Sequence, residues 1–378
     1  MNELELFGPH ITESDINYVT DALRNGWYGA SKYWYVEEFE KEFRRYHNRA
    51  FGLMTTNCTS AIHLAGLSLG LSEGDEVIVP DLTWIGSISG LHSCGVKLIF
   101  CDVNPLTWCI DVTRAKELIT EKTKAILAVN LFGNMADWVG LEALAKTYNL
   151  KLIEDAAESL GSVLNGKKSG SYGDISVFSF HRTKTLTTGE GGFYLTNNEN
   201  LFNAAAFHRD HGRSSSKLYF NDEITVKYMP SNMMAALAYG QFKRIDELIL
   251  IKRRLYQFYK EFFLELEDVT INTELPNEVN AAWGTCIIWG ESYSINKEDM
   301  MERLESIGFQ ARPFFYPLTS MPAIKNSRHH NRDYKTNNYV AYSISNRGIC
   351  LPAAMNLNPS DVKEYCQVVK KILLERKS

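Results

Sequence analysis

The strongest constraint in this sequence is a succession of short, almost wholly apolar runs that alternate with segments of helical period between about residues 50 and 196. EVIVP (76–80), KLIFCD (97–102), KAILAVN (124–130) and KLIED (151–155) have no broad polar face to offer to water. Strands of this kind are buried on both faces, as in a parallel sheet covered by helices. Between them, residues 137–148 place Leu141, Leu144 and Ala145 on one side of a helix. Two further strands, ISVFSF (175–180) and GFYLT (192–196), are joined by a polar, glycine-rich turn. The pattern predicts an α/β fold with an open, mostly parallel central sheet.

The ends of the chain read differently. Thr12-Glu13-Ser14-Asp15 before INYVTDAL predicts a capping-box helix start with Asp in place of Glu. Beyond about residue 235 a long helical stretch runs to FFLEL, followed by strands around 284–290 and helices near 297–307 and 359–375. The expected division is a large domain over 1–245 and a smaller α+β domain over 246–378, completed by the N-terminal helix. The length of 378 residues, 45% of them apolar, suits about two domains.

Several function classes drop out. With 40 Lys+Arg against 45 Asp+Glu, the net charge of −5 gives no whole-chain pull toward nucleic acid or an anionic membrane. The seven cysteines are scattered and without a CxxC pair, which predicts reduced thiols in a cytoplasmic protein. The opening MNELELFGPHITESD lacks the apolar segment of a signal peptide, and no apolar run approaches the roughly 18–20 residues of a membrane span. No membrane insertion is expected.

In open α/β sheets, ligands sit beyond the carboxyl ends of the strands, in loops leading into helices. Three such loops carry chemistry. Thr56-Asn57-Cys58-Thr59-Ser60, before AIHLAGLSLGL, offers free N–H groups, hydroxyls and the positive end of a helix dipole, suited either to a phosphate or to ordinary N-capping by Asn57 or Thr59. Glu154-Asp155-Ala156-Ala157-Glu158 places a carboxylate at a strand end with small neighbours, where it can meet a ligand cation or cap a helix. Residues 178–192 (FSFHRTKTLTTGEGG) set Lys184 after a buried aromatic strand and before a glycine-rich turn. A lysine amine in partly apolar surroundings becomes a nucleophile toward carbonyls and a proton shuttle.

Other signals fail. Residues 161–168 (GSVLNGKK) have Lys168 where a P-loop needs Ser or Thr, and read as a polar turn between strands. His208-Arg209-Asp210-His211 and His329-His330 lack a third ligand with a supporting pattern, so no metal is expected. No G-x-G-x-x-G follows a predicted strand. The basic-aromatic stretch from Lys252 to Lys260 reads as the solvated face of a helix.

Taken in order on an α/β background, Thr59-Ser60, Asp155 and Lys184 resemble the fold-type I, aspartate aminotransferase-like enzymes that use pyridoxal 5'-phosphate (PLP). FSFHRTKTLTTGEGG resembles the sugar aminotransferases of the DegT/DnrJ/EryC1/StrS family. The resemblance spans nearly the whole chain, through GPHITESDI, Gly26-Trp27-Tyr28-Gly29, GDEVIVPDLTWIGS, IEDAAESLGS, FHRDHGR, KYMPSNMMAALAYGQFKRID and ARPFFYPLTSMP. Within the family it looks most like the branch that makes 4-amino-4,6-dideoxy sugars such as GDP-perosamine.

The resemblance implies roles. Lys184 would form the Schiff base with PLP and move the proton; Asp155 would pair with the pyridinium nitrogen. Trp84 would lie against the ring, Glu158 near its hydroxyl, and Thr59, Ser60 and Ser179 at the phosphate. Members of the family are dimers, and Lys227 would reach the neighbour's phosphate. Arg312, Phe314 and Tyr316, with His181, would line the substrate entrance, helped by residues 212–224 and 319–336. Cys58 replaces the usual Gly, and Thr319 stands where many relatives have His. The implied reaction moves an amino group from L-glutamate to a nucleotide-linked keto-sugar, a 4-keto-6-deoxyhexose, for surface polysaccharide. The rivals are a PLP-dependent sugar dehydratase, which would carry His at position 184, and a non-catalytic PLP-binding relative.

Overall fold

The structure is a computed structural model and describes residues 6–329 and 332–377; His330 lies outside the described residues. Strands β1 (Phe51–Thr55), β2 (Glu76–Pro80), β3 (Lys97–Cys101), β4 (Thr123–Val129) and β5 (Lys151–Asp155) precede a small hairpin, β6 (Val163–Leu164) and β7 (Lys167–Lys168). Strands β8 (Ile175–Ser179) and β9 (Gly192–Thr196) follow. The hairpin is the turn expected at residues 161–168, closed by Asn165 and Gly166 at φ 50° and 76°, as a two-residue turn of this hand requires. The seven main strands lie in the order β1-β9-β8-β5-β4-β2-β3. All run parallel except β9, which is antiparallel to both neighbours.

Helices α1 (Glu13–Asn25), α2 (Trp34–Tyr46), α3 (Cys58–Ser68), α4 (Gly86–Ser93), α5 (Val112–Glu117), α6 (Trp138–Tyr148), α7 (Glu199–Arg209), α8 (Asn232–Lys243) and α9 (Ile245–Phe263) account for most of the covering layers. Strand alternation decides which side each residue serves. Leu53 and Tyr194 join the core of α3, α4 and α6, while their neighbours Met54, Phe193 and Leu195 join that of α2 and α8. The second core is dense in rings: Phe43 of α2 sits 5.1, 5.5 and 4.5 Å from the rings of Phe178, Phe180 and Phe193. Phe178, Phe180 and Phe193 of this core flank in sequence the segment that carries Lys184.

A second sheet combines β10 (Val269–Ile271), β12 (Cys286–Trp289), β13 (Arg312–Pro313) and β14 (Gly348–Cys350) in the order β10-β12-β14-β13. Strand β11 (Glu278–Val279) pairs instead with β6. Helices α9 and Pro359–Leu374 pack on the second sheet around a core of their own. All seven cysteines carry free thiols. Among the described residues no helix is long and apolar enough to cross a membrane.

Three expectations need correction. The long helical run after residue 235 is two helices, broken at Arg244, whose φ of −124° and ψ of 28° leave the helical region. Helix α1 packs on α8 rather than on the second sheet. Gly240 admits it: a Cβ there would lie 2.8 Å from the Tyr18 ring. The segment before α1 reaches the C-terminal part, where the Ala353 N–H donates to Leu6 O at 2.6 Å. Finally, Lys252 does not face solvent. It is 2% exposed, on the α9 stripe that also buries Leu248, Tyr256 and Tyr259.

Candidate active site

The three loops singled out in the sequence converge on one cleft of about 230 Å³ at the carboxyl ends of β1, β2, β4, β5 and β8. The first loop is the start of α3. Asn57 is its N-cap, and its Oδ1 accepts from the Ser60 N–H at 2.8 Å and the Ser60 hydroxyl at 2.9 Å. Ser60 is thereby turned to the cap and is not among the cleft residues, whereas Cys58 and Thr59 line it. The first-turn N–H groups of Cys58 and Thr59 have no carbonyl a turn earlier to bond, so they and the helix dipole favour an anion there. Gly192 makes this approach possible, since a Cβ on it would lie 2.4 Å from the Asn57 carbonyl. Ser179, at the end of β8, lines the same wall.

The floor is Asp155, 2% exposed at the end of β5. Its Oδ1 accepts from the Ala157 N–H at 3.0 Å, and the Ser87 hydroxyl also bonds to it. Burial pushes this carboxyl above its ordinary range, partly offset by those two bonds. A buried carboxylate bonded to neutral donors has a cation as its natural complement.

Lys184 enters from the side. Its loop is tied by hydrogen bonds from the Lys184 N–H to His181 O at 2.8 Å and from the Thr188 N–H to Phe180 O at 2.9 Å. The amine lies 3.2 Å from Glu158 Oε1 and 3.7 Å from the centre of the Trp283 ring. Glu158 is itself pinned, its Oε2 accepting from the Phe132 N–H at 3.0 Å. Phe132 presents that N–H at a φ of 52°, a left-handed conformation that costs a non-glycine residue of order 1 kcal/mol and marks a site held by its surroundings.

The remaining wall comprises Trp84, 58% exposed, together with Phe315, His181 and Arg312. The Arg312 guanidinium lies 4.6 Å from the centre of the Phe7 ring. Burial holds His181 below its usual pKa, and its Nδ1 lies 2.9 Å from the Thr183 hydroxyl.

Some expected residues lie elsewhere. Phe314 is fully buried, 5.2 Å from the Trp108 ring and 5.0 Å from the Phe132 ring; its neighbour Phe315 is the one in the cleft. Tyr316 is exposed and donates to Glu298 Oε1 at 3.1 Å. Within this chain Lys227 pairs with Asp210. Among the described residues, neither 212–224 nor 319–336 lines this chain's cleft: Thr319 is buried and donates to Asp81 through its N–H at 2.9 Å and its hydroxyl at 2.7 Å. Ser87, Trp283 and Phe315 were not singled out from the sequence. Among the described residues no group of three His, Cys, Asp or Glu side chains is placed to hold a metal ion.

An anion-accepting helix start with a free hydroxyl, a buried carboxylate and a part-buried amine on the face of an indole complement three parts of one molecule: a phosphate, a pyridine nitrogen and an aldehyde. The residues present therefore fit PLP, and fold and site together define a PLP-dependent transferase of fold type I. The chain belongs to the DegT/DnrJ/EryC1/StrS aminotransferase family, whose model it matches over residues 9–371. It is 33% identical to the GDP-perosamine synthase of Escherichia coli O157:H7 over 100% of both chains. To that of Vibrio cholerae it is 32% identical over 97% of this chain and 98% of the relative. Its fold is similar to that of Spr1654 from Streptococcus pneumoniae, assigned as a sugar aminotransferase and solved in its PLP form, with a TM-score of 0.89 at 24% identity over 100% of both chains. PLP is the cofactor of this chain.

Proposed function

We propose that this enzyme transfers the amino group of L-glutamate to the keto carbon of a nucleotide-linked 4-keto-6-deoxyhexose, in the formation of a surface-polysaccharide sugar. The observation that carries the reading is the Lys184 amine, held between Glu158 and Trp283 above a buried Asp155. The full-length likeness to two GDP-perosamine synthases supports the sugar class. A lysine at position 184 supports amino transfer over dehydration.

PLP bound in the cleft supplies an electrophilic carbon for amines and an electron sink for the substrate carbon. The chain's own residues do the rest. Asp155 would keep a proton on the ring nitrogen, because a buried carboxylate beside it favours the cationic ring. Thr59, Ser179 and the start of α3 anchor the phosphate. Lys184 would be the group placed to take a proton from the amino-acid carbon and deliver it two atoms away, on the far side of the nitrogen, and to run the same transfer in reverse for the sugar. Glu158 and Trp283 keep that amine over the cleft while it is free. Arg312 supplies a cation for an anionic substrate at the entrance.

We infer that a second copy of the chain packs on the 211–225 loop. Leu218, Tyr219 and Ile224 are almost fully exposed on the 211–225 loop, an apolar surface suited to contact with another protein. A homodimer would cover it and could bring Lys227 to the partner's cofactor. The test is a panel of GDP-, dTDP- and UDP-linked 4-keto-6-deoxy sugars with L-glutamate, products identified by mass spectrometry and NMR. Borohydride trapping with peptide mapping and light scattering accompany it. An amino-sugar, an adduct at Lys184 and a dimer are expected. A deoxygenated product, or an adduct at another residue, overturns the reading.

A further inference from the structure

Lys252 is the most unusual group outside the cleft. It leaves α9 for the interior, where its Nζ donates to Trp283 O at 3.0 Å and to Ala353 O. The Trp283 indole N–H in turn donates to Thr183 O at 2.7 Å, and its ring lies 3.7 Å beneath the Lys184 amine. One side chain thus connects α9, through a single tryptophan, to both the backbone and the amine of the Thr183–Lys184 pair.

The backbone around Trp283 needs such a restraint. Ala282 has a φ of 54°, left-handed for a residue with a Cβ, and is held on one side by Asn280, whose Oδ1 accepts the Ala282 N–H at 2.7 Å. Lys252 holds the carbonyl of Trp283, the residue that follows. Phe7, 5.1 Å away, packs on the indole ring. Water is excluded, so without a donor at position 252 the two carbonyls would be buried and unpaired. Burial together with the nearby Lys184 charge brings Lys252 down to about 7, and its N–H groups meet the two carbonyl acceptors.

We propose that Lys252 is a positioning residue for the reaction: through Trp283 it fixes the surface on which the Lys184 amine rests. The inference rests on the reading of Lys184 as the cofactor-binding amine. A lysine that only stabilised the fold would alter melting and leave the chemistry of residue 184 unmoved.

The experiment uses the full-length holoenzyme and the variants Lys252→Met, Lys252→Gln and Trp283→Phe. Borohydride trapping first locates the adduct in the unaltered enzyme. The pH midpoint of the bound cofactor's visible band, kcat and KM are then measured beside thermal melting. Lys252→Met is expected to move the midpoint by about half a pH unit or more. Its kcat should fall about tenfold or more, as misplacement of a reacting group does, with KM changed less than about twofold. Lys252→Gln, which retains N–H donors, should recover part of both. Trp283→Phe keeps a ring but removes the bond to Thr183 and should shift the midpoint in the same way; it carries the test if Lys252→Met does not fold. An adduct at Lys184 with midpoint and kcat unmoved in the variants overturns this inference alone. An adduct elsewhere overturns the assignment of Lys184 and this inference with it.

Discussion

Replacing Thr59 by valine and Ser60 by alanine, one at a time, separates two hydroxyls that the sequence treats alike. Ser60 Oγ lies 2.9 Å from Asn57 Oδ1 and 3.1 Å from the Thr56 hydroxyl, so its proton is already committed to the cap of α3. Thr59 lines the cleft, and its hydroxyl is bonded to no protein group among the described residues. A hydrogen bond to a charged acceptor contributes about 1.5–3 kcal/mol. At about 1.4 kcal/mol per factor of ten, Thr59→Val should weaken PLP binding by roughly ten- to a hundredfold. Ser60→Ala should weaken it less than about threefold and instead lower the stability of the apoprotein by about 0.5–1 kcal/mol, the worth of part of a helix cap. The assay is titration of dialysed apoprotein with PLP, followed by tryptophan fluorescence, beside thermal melts of both variants. Equal losses of affinity in the two variants, or an unchanged affinity in Thr59→Val, would refute the division of labour at this helix start.

Asp155→Asn keeps the shape of the floor but removes the charge that faces the ring nitrogen; kcat should fall by about a hundredfold or more while PLP is still taken up, seen by steady-state kinetics and visible absorbance. Thr319→Val removes one of the bonds that Asp81 receives, and burial already raises Asp81 above its ordinary 3.8. A carboxyl raised in the folded state stabilises least when ionised, so the deficit in Thr319→Val should be small below pH 3.8 and reach about 1–3 kcal/mol near neutrality, measured by denaturant unfolding at several pH values. His47 is fully buried, its Nδ1 2.7 Å from Ser169 O, and burial lowers it from 6.5 to about 3. The unfolded chain binds that proton first, so stability should decline as pH falls from 6.5 toward 3, and His47→Gln should flatten the decline.

The parts of the site that a reader can take from the sequence share one property: each sits where a local pattern changes. Lys184 follows an aromatic strand and precedes glycines, Asp155 ends an apolar run, and Thr59 opens a helix. Lys252 was legible too, since it stands four residues from both Leu248 and Tyr256 on the buried stripe of α9; the charge-rich neighbours masked that period. Phe314 and Phe315 mark the limit of such reading. Adjacent residues in an extended segment point to opposite sides, and only the packing of Phe314 on Trp108 and Phe132 decides which of them faces the cleft.

What the sequence alone determined is the succession of strands and helices, the parallel core sheet and the three loops that meet at its carboxyl edge, because burial on both faces and helix-start chemistry are written locally. The tertiary structure decided the rest: that Ser60 serves the cap while Thr59 serves the cleft, that α1 packs on α8, and that Trp283, ninety-nine residues after Lys184, lies beneath its amine. These depend on contacts between segments far apart in the chain, and no local period encodes which distant side chain fills a given space.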